Sequence, residues 1–288
     1  MIGLSLPLNY LAAGPDATPA TTAWQGAFGA PEEALEAARE AGVTWVELRS
    51  VGRDTHPDLA LRAARRVWDS GLALTIHGHL PNPALGRAFA ELYPALAPLA
   101  AALRARGCAS VMTLHPYSGA GARIEELVGA TVQALSQVMA AVQREAIPLR
   151  VALENERNRP WPSPTATYEG VVEIIERVES PQLGACWDLG HACANVQTGE
   201  QEPTPPREFL RRVIHTHIHD LGPRTHCSLT CGVVPLEPWL DLLYDAGYTG
   251  ILNLELSPER FQDGPAREFI YASLRRVKEY LRRREAAP

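Results

Sequence analysis

The segment VIHTHIHDLGPRTHC, residues 213–227, holds four of the chain's nine histidines. His215, His217 and His219 alternate with Ile214, Thr216 and Ile218, and alternate residues of a strand share one face. Imidazoles stacked on one strand face are costly to bury unless they are hydrogen-bonded or bound to something. Carboxylates stand at comparable places in other apolar runs: Glu154 ends LRVALE, Asp188 ends LGACWD, and Glu255 lies in ILNLEL. His77 ends LALTIH, His115 ends SVMTLH, and His191 follows Asp188 closely. Three carboxylates converging on one place would repel each other. A divalent cation would remove that repulsion, order the groups, and polarise a substrate oxygen.

The elements that must position these groups recur through the whole chain. Eight short runs rich in β-branched and apolar residues read as strands: 2–6, 43–48, 72–77, 110–115, 149–154, 183–188, 213–219 and 251–256. Amphipathic helical patterns lie between them at 31–42, 57–71, 122–146, 235–248 and 265–284. The first of these opens on Pro31, carries acids in its first turn and ends at Gly42. Strands that alternate with helices pair in parallel through crossovers. Eight such units in 288 residues predict a single α/β domain over 1–288, a (β/α)8 TIM barrel. A doubly wound sheet is the competing arrangement, but no glycine fingerprint follows the first run. In such a barrel the active site lies where the strands end, and there six strands carry potential metal ligands. Glu154, Asp188 and Glu255 alternate with apolar neighbours such as Leu153, Trp187 and Leu254. Those neighbours would face the helix layer and the polar groups the barrel axis.

Bulk properties bound the partners. The net charge is −6, which argues against nucleic acid as a partner, and Lys278 is the only lysine. Apolar runs fall short of a membrane span. The N-terminal MIGLSLPLNYLAAG lacks the basic start of a secretory signal. The five cysteines are odd in number and show no Cys-x-x-Cys spacing, so free thiols in a reducing cytoplasm are expected. The expected partner is a small carbohydrate, without nucleic acid or membrane, and with self-association into a homo-oligomer left open.

VALEN, CWDLGH, HIHD and NLEL, in this order on these strands, resemble the metal-binding strand ends of the xylose isomerase-like barrels. That superfamily includes sugar phosphate isomerases and epimerases, ketose 3-epimerases and endonuclease IV. The resemblance implies one metal held by Glu154, Asp188, His217 and Glu255. His217 is taken from the trio because relatives place the ligand three residues before an acid, here Asp220; strand phase alone does not separate it from His215 or His219. The resemblance further implies that Glu154 and Glu255 act as the catalytic acid/base pair of an isomerase or epimerase of a sugar, sugar acid or sugar phosphate. Such a largely oxygen donor set suits Mn2+ best, with Mg2+, Co2+ and Zn2+ as alternatives. His77, His115, His191 and His226 resemble the histidines that hold further zinc ions in endonuclease IV, and are candidates for a second metal or for substrate. That pattern wants an acid two residues before the last histidine, where this chain has Arg224. A guanidinium cannot ligate a cation, so Arg224 is expected to bind an anionic group of the substrate, in a loop restricted by Pro223. The alternatives are a multi-zinc phosphodiester hydrolase, a lyase of the inosose dehydratase kind, and a non-catalytic binding relative. His215 and His219 are expected to orient or pack around the metal. Glu47 and Arg49, at the end of the second run, either contact substrate or each other.

Overall fold

The computed structural model describes all residues except 15–17, 83–85, 159–160, 223, 262–263 and 287–288. Eight strands close into a parallel barrel in sequence order. They are β1 (Ile2–Pro7), β2 (Trp45–Arg49), β3 (Ala73–His77), β4 (Ser110–Leu114), β5 (Leu149–Glu154), β6 (Leu183–Asp188), β7 (Val213–Ile218) and β8 (Leu252–Leu254). A helix follows every strand, as parallel closure requires. The (β/α)8 barrel read from the alternating runs is therefore the observed architecture, with strand bounds displaced by only a few residues. The helices at Pro19–Phe28, Ala97–Arg106, Tyr168–Val178 and Leu189–Gln197 come in addition to the five legible from amphipathic patterning. The last of these is nearly all buried on both sides, which erases the polar stripe that marks a surface helix.

The core has an apolar outer layer and a polar inner one. Leu153, Trp187 and Leu254 pack beneath the helices, Trp187 against Phe209 and Trp239. Inside the barrel, Ser5, Glu47, His215 and Asn253 form one buried polar layer. The Ser5 hydroxyl and the Asn253 amide donate to Glu47 Oε1 at 2.7 and 3.0 Å, and Glu47 Oε2 lies 3.1 Å from His215 Nε2. This layer is the floor on which the strand-end groups stand.

Register sets which strand-end groups become neighbours. Glu154 pairs with Cys186, Asp188 with His217, and His217 with Asn253. A register shift between Ala185 and Cys186 rotates the end of β6 relative to β7. Gly184 makes the start of this pairing possible. A Cβ there would lie 2.6 Å from Ile214 Cγ2 and 2.7 Å from the Arg212 carbonyl oxygen, and backbone cannot yield. We predict that Gly184→Ala destabilises the fold by about 1–3 kcal/mol in urea denaturation, the usual cost of overpacking. An unchanged midpoint would show that β6 and β7 approach less closely than described.

Candidate metal centre

The Glu154 carboxylate has no solvent exposure and stands at the centre of the barrel mouth. Its Oε2 lies 3.3 Å from His77 Nε2, 3.1 Å from His115 Nε2 and 3.2 Å from His217 Nδ1. Its Oε1 lies 3.3 Å from His191 Nδ1. Across His217 sits Glu255, whose Oε2 is 3.1 Å from the same Nδ1. These approaches are close but not aligned as hydrogen bonds. Glu154 Oε1 and Oε2, His115 Nε2, His191 Nε2, His217 Nδ1 and Glu255 Oε2 are all buried without a hydrogen-bond partner. Buried polar atoms are otherwise almost always paired. Convergent, unpaired nitrogen and oxygen donors fit a divalent cation.

The donors fall into two adjacent groups. His77, Glu154, His217 and Glu255 offer ligand atoms within 4.8 Å of one another, as do Asp188, His191, His219 and His226. Three of the four ligands expected from the strand ends thus meet at one point, with His77 as the fourth member. Asp188 is drawn into the neighbouring group for a local reason. It is the N-cap of the helix Leu189–Gln197, and its Oδ1 accepts the His191 backbone N–H at 2.7 Å. Its other oxygen lies 3.2 Å from His219 Nε2. Asn155 holds this end of β6 on both sides, accepting from Asp188 N at 2.7 Å and donating to its carbonyl at 3.0 Å. His219 fits over Gly190, where any Cβ would overlap its ring. His226 stacks on His219 at 4.2 Å between centroids and has a φ of 65°, a conformation uncommon outside glycine. Bonds to its backbone on either side hold it there, from His226 N to His219 Nδ1 and from Ser257 N to the His226 carbonyl.

Two further carboxylates aim the imidazoles. Glu47 Oε2 lies 3.1 Å from His217 Nε2. A carboxylate only accepts, so Nε2 carries the hydrogen and the neutral ring turns the lone pair of Nδ1 toward Glu154 and Glu255. Glu156 does the same for His115, its Oε1 lying 2.9 Å from Nδ1 so that Nε2 faces Glu154. Burial opposes the charge on Glu154, but His115 and His217 in their protonated form outweigh it and hold the carboxyl well below the usual carboxylate range, a charge that a bound cation would supply in place of the two protons. Burial likewise opposes ionisation of Glu255, and the charge of protonated His217 overcomes it. For His226 burial prevails, reinforced by His219, and pushes the imidazolium down to about 3. Glu47 was legible only as a strand-end acid with two alternative partners. Its position between Val46 and Leu48 in an apolar run was the available signal, and it faces inward to His215 and His217. Arg49 is half-buried and turns to Glu255 instead of Glu47; its Nε lies 3.5 Å from Glu255 Oε1, and its other nitrogens donate to the Leu256 carbonyl and Ser257 Oγ. Asp220, the acid after the histidine trio, accepts backbone N–H groups of Leu221, Gly232, Val233 and Val234 and so organises the loop after β7. Arg224 is exposed at the rim of the mouth, and Pro223 lies outside the described residues. Trp24 is buried and stacks on Phe28 within a helix, while Trp161 is exposed.

If Glu47 orients His217, Glu47→Ala should weaken Co2+ affinity by about 10- to 100-fold and alter the visible spectrum of the Co2+-loaded protein. Glu47→Gln, which still accepts a hydrogen bond, should recover part of the loss. Equal affinity and an identical spectrum in Glu47→Ala would remove Glu47 from the centre.

A model of the xylose isomerase-like TIM barrel family matches residues 35–280. Solved structures with the same fold include a xylose isomerase domain protein from Alicyclobacillus acidocaldarius, 20% identical with a TM-score of 0.64 over 97% of both chains. They also include a D-allulose 3-epimerase from Methylomonas sp. in complex with D-allulose, 15% identical with a TM-score of 0.62 over 97% of both. The IolI protein with a bound zinc atom is 14% identical with a TM-score of 0.62, over 96% of this chain and 97% of that one. At these identities the likeness shows a shared fold. Over 98 residues the chain is 28% identical to the uncharacterized protein MJ1311 of Methanocaldococcus jannaschii, a stretch that covers only 31% of either protein. The family match spans most of the barrel, from before β2 to within the last helix, and the chain belongs to the xylose isomerase-like TIM barrel family.

Proposed function

We propose that the protein is a divalent-metal-dependent isomerase or epimerase of a sugar or sugar derivative. The observation that carries this reading is the placement of two buried glutamates on either side of one imidazole nitrogen, with His217 Nδ1 3.2 Å from Glu154 and 3.1 Å from Glu255. His77, Glu154, His217 and Glu255 would hold the cation, with Asp188 adjoining. Two imidazoles and two carboxylates favour Mn2+, Co2+ or Zn2+ over Mg2+. When bound, the cation supplies Lewis-acid polarisation of a carbonyl and the neighbouring hydroxyl. One glutamate then takes the proton from the carbon beside that carbonyl, and a proton returns from the other glutamate. Return to the opposite face of the same carbon gives an epimer; return to the former carbonyl carbon, with the proton of the neighbouring hydroxyl passing to the carbonyl oxygen, gives an isomer. Arg49, fixed on Glu255, and Glu47, fixed on His217, keep these groups in place. The fold shared with a D-allulose 3-epimerase supports the substrate class. The five free thiols suit the reducing cytoplasm in which we place the enzyme. No helix among the described residues is long and apolar enough to cross a membrane.

The second group of donors, Asp188, His191, His219 and His226, favours one other reading, a multinuclear phosphodiester hydrolase. Arg260 argues against it. Its Nη1 lies 3.1 Å from His226 Nδ1, and a guanidinium only donates, so the hydrogen of the neutral ring sits on Nε2, the atom turned toward Glu255.

Ketoses, inososes and sugar acids should be screened with Mn2+ in D2O. We predict incorporation of solvent deuterium at the reacting carbon, lost on chelation and reduced about 10²- to 10⁴-fold in Glu154→Gln and Glu255→Gln. Dehydration without isomerised or epimerised product would assign a lyase. Incision of an abasic duplex with Zn2+, lost in Glu154→Gln, would assign the hydrolase.

A further inference from the structure

A cavity of about 430 Å3 opens among the loops that follow β1, β2, β7 and β8. Asn9, Thr18, Ser50, Arg224, Glu259 and Arg260 contribute its polar lining. The metal-ligand groups come from β3 to β8, so the cavity completes the part of the mouth that those groups leave open. It is also contiguous with them. Arg260 Nη1 lies 3.1 Å from His226 Nδ1, and His226 Nε2 lies 3.6 Å from Glu255 Oε2.

We infer that this cavity binds the phosphate group of a phosphorylated open-chain sugar, whose carbonyl end lies over Glu154 and Glu255. The inference rests on the isomerase or epimerase reading above and specifies its substrate class. Three observations carry it. Arg224 has no ion pair or side-chain hydrogen bond among the described residues, so its guanidinium fork is available at the cavity rim. Among the described residues the Arg260 side chain is anchored through Nη1, by His226 and Thr225, which leaves its remaining donors for a ligand. The helix Pro19–Phe28 begins at the cavity edge with Thr18 as its cap, and the positive pole of its dipole points there. Two guanidinium groups and a helix N-terminus match a dianion with three acceptor oxygens better than they match a neutral polyol. Loops after the seventh and eighth strands are a recurrent place for phosphate in (β/α)8 barrels. Glu259 offsets one of the two positive charges, and its Oε2 is buried without a hydrogen-bond partner. That acceptor suits a sugar hydroxyl next to the phosphate.

The test is calorimetric titration of the Mn2+-loaded protein with inorganic phosphate, a ketose phosphate, the same ketose without phosphate, and a hexuronate. Wild type, Arg224→Ala and Arg260→Ala are compared, with metal content measured on each sample. The ketose phosphate should bind more tightly than the ketose or the hexuronate. Each arginine variant should lose about 10- to 150-fold in affinity for it, the effect of one charge-assisted hydrogen bond, with metal content unchanged in Arg224→Ala. Inorganic phosphate should show the same dependence on the arginines. Phosphate binding that both variants retain in full would place the anion on the metal and overturn the inference. A hexuronate that binds more tightly than the ketose phosphate would overturn the phosphate assignment. Wild-type protein that takes up no metal would sink the reading of the metal centre, but would leave the arginine dependence of phosphate binding to stand or fall by itself.

Discussion

The Glu154 carboxylate, fully enclosed at the end of β5, is the group around which the rest of the mouth is arranged. An isolated buried carboxylate is too costly to keep ionised, and it persists only with compensating charge and hydrogen bonds. Here four imidazoles from β3, the end of β4, β7 and the helix after β6 approach it between 3.1 and 3.3 Å. The approaching nitrogens of His115 and His217 and both oxygens of Glu154 converge without pairing, which is unsatisfactory for hydrogen bonding and suitable for a cation. Loss of any one of these approaches would disturb the others, so the geometry of five strand ends is coupled through a single group.

That coupling explains the carboxylates further back. Imidazole presents a lone pair in a useful direction only when its other nitrogen is engaged. Glu47 engages His217 from inside the barrel, and Glu156 engages His115 from the loop after β5. Ser5 and Asn253 in turn hold Glu47. The polar floor of the barrel is thus a chain of positioning bonds that ends at the lone pair of His217. Arg49 holds Glu255 in the same way, whereas Arg260 engages His226 Nδ1 and turns the Nε2 hydrogen toward Glu255.

Much of this was legible from residue order. The β-branched runs announced eight strands, and an ionisable residue at the end of an apolar run announced the mouth, because strand ends in this fold point to one face. Less legible was how the donors would be shared. Asp188 and His217 are register partners, yet a capping bond to His191 turns Asp188 toward His219, and only the start of the next helix reveals that competition. His77 enters the group with Glu154 for the converse reason: its ring stacks on His217 at 5.1 Å between centroids, a contact set by closure of the barrel and not by any spacing along the chain. The alternation of the histidine trio predicted a common face but not three different partners. His215 turns down to Glu47, His217 bridges Glu47 and Glu154, and His219 leaves the strand to meet Asp188.

The central claim is that these unpaired donors exist to hold a divalent cation. Elemental analysis of the wild-type protein after equilibration with excess Mn2+ or Zn2+ and removal of unbound metal tests it most directly, with Glu154→Gln as the reference. The account predicts at least one bound cation per chain in the wild type and marked loss in the variant. A folded wild-type protein that retains no cation, or a Glu154→Gln variant that retains as much, would contradict it.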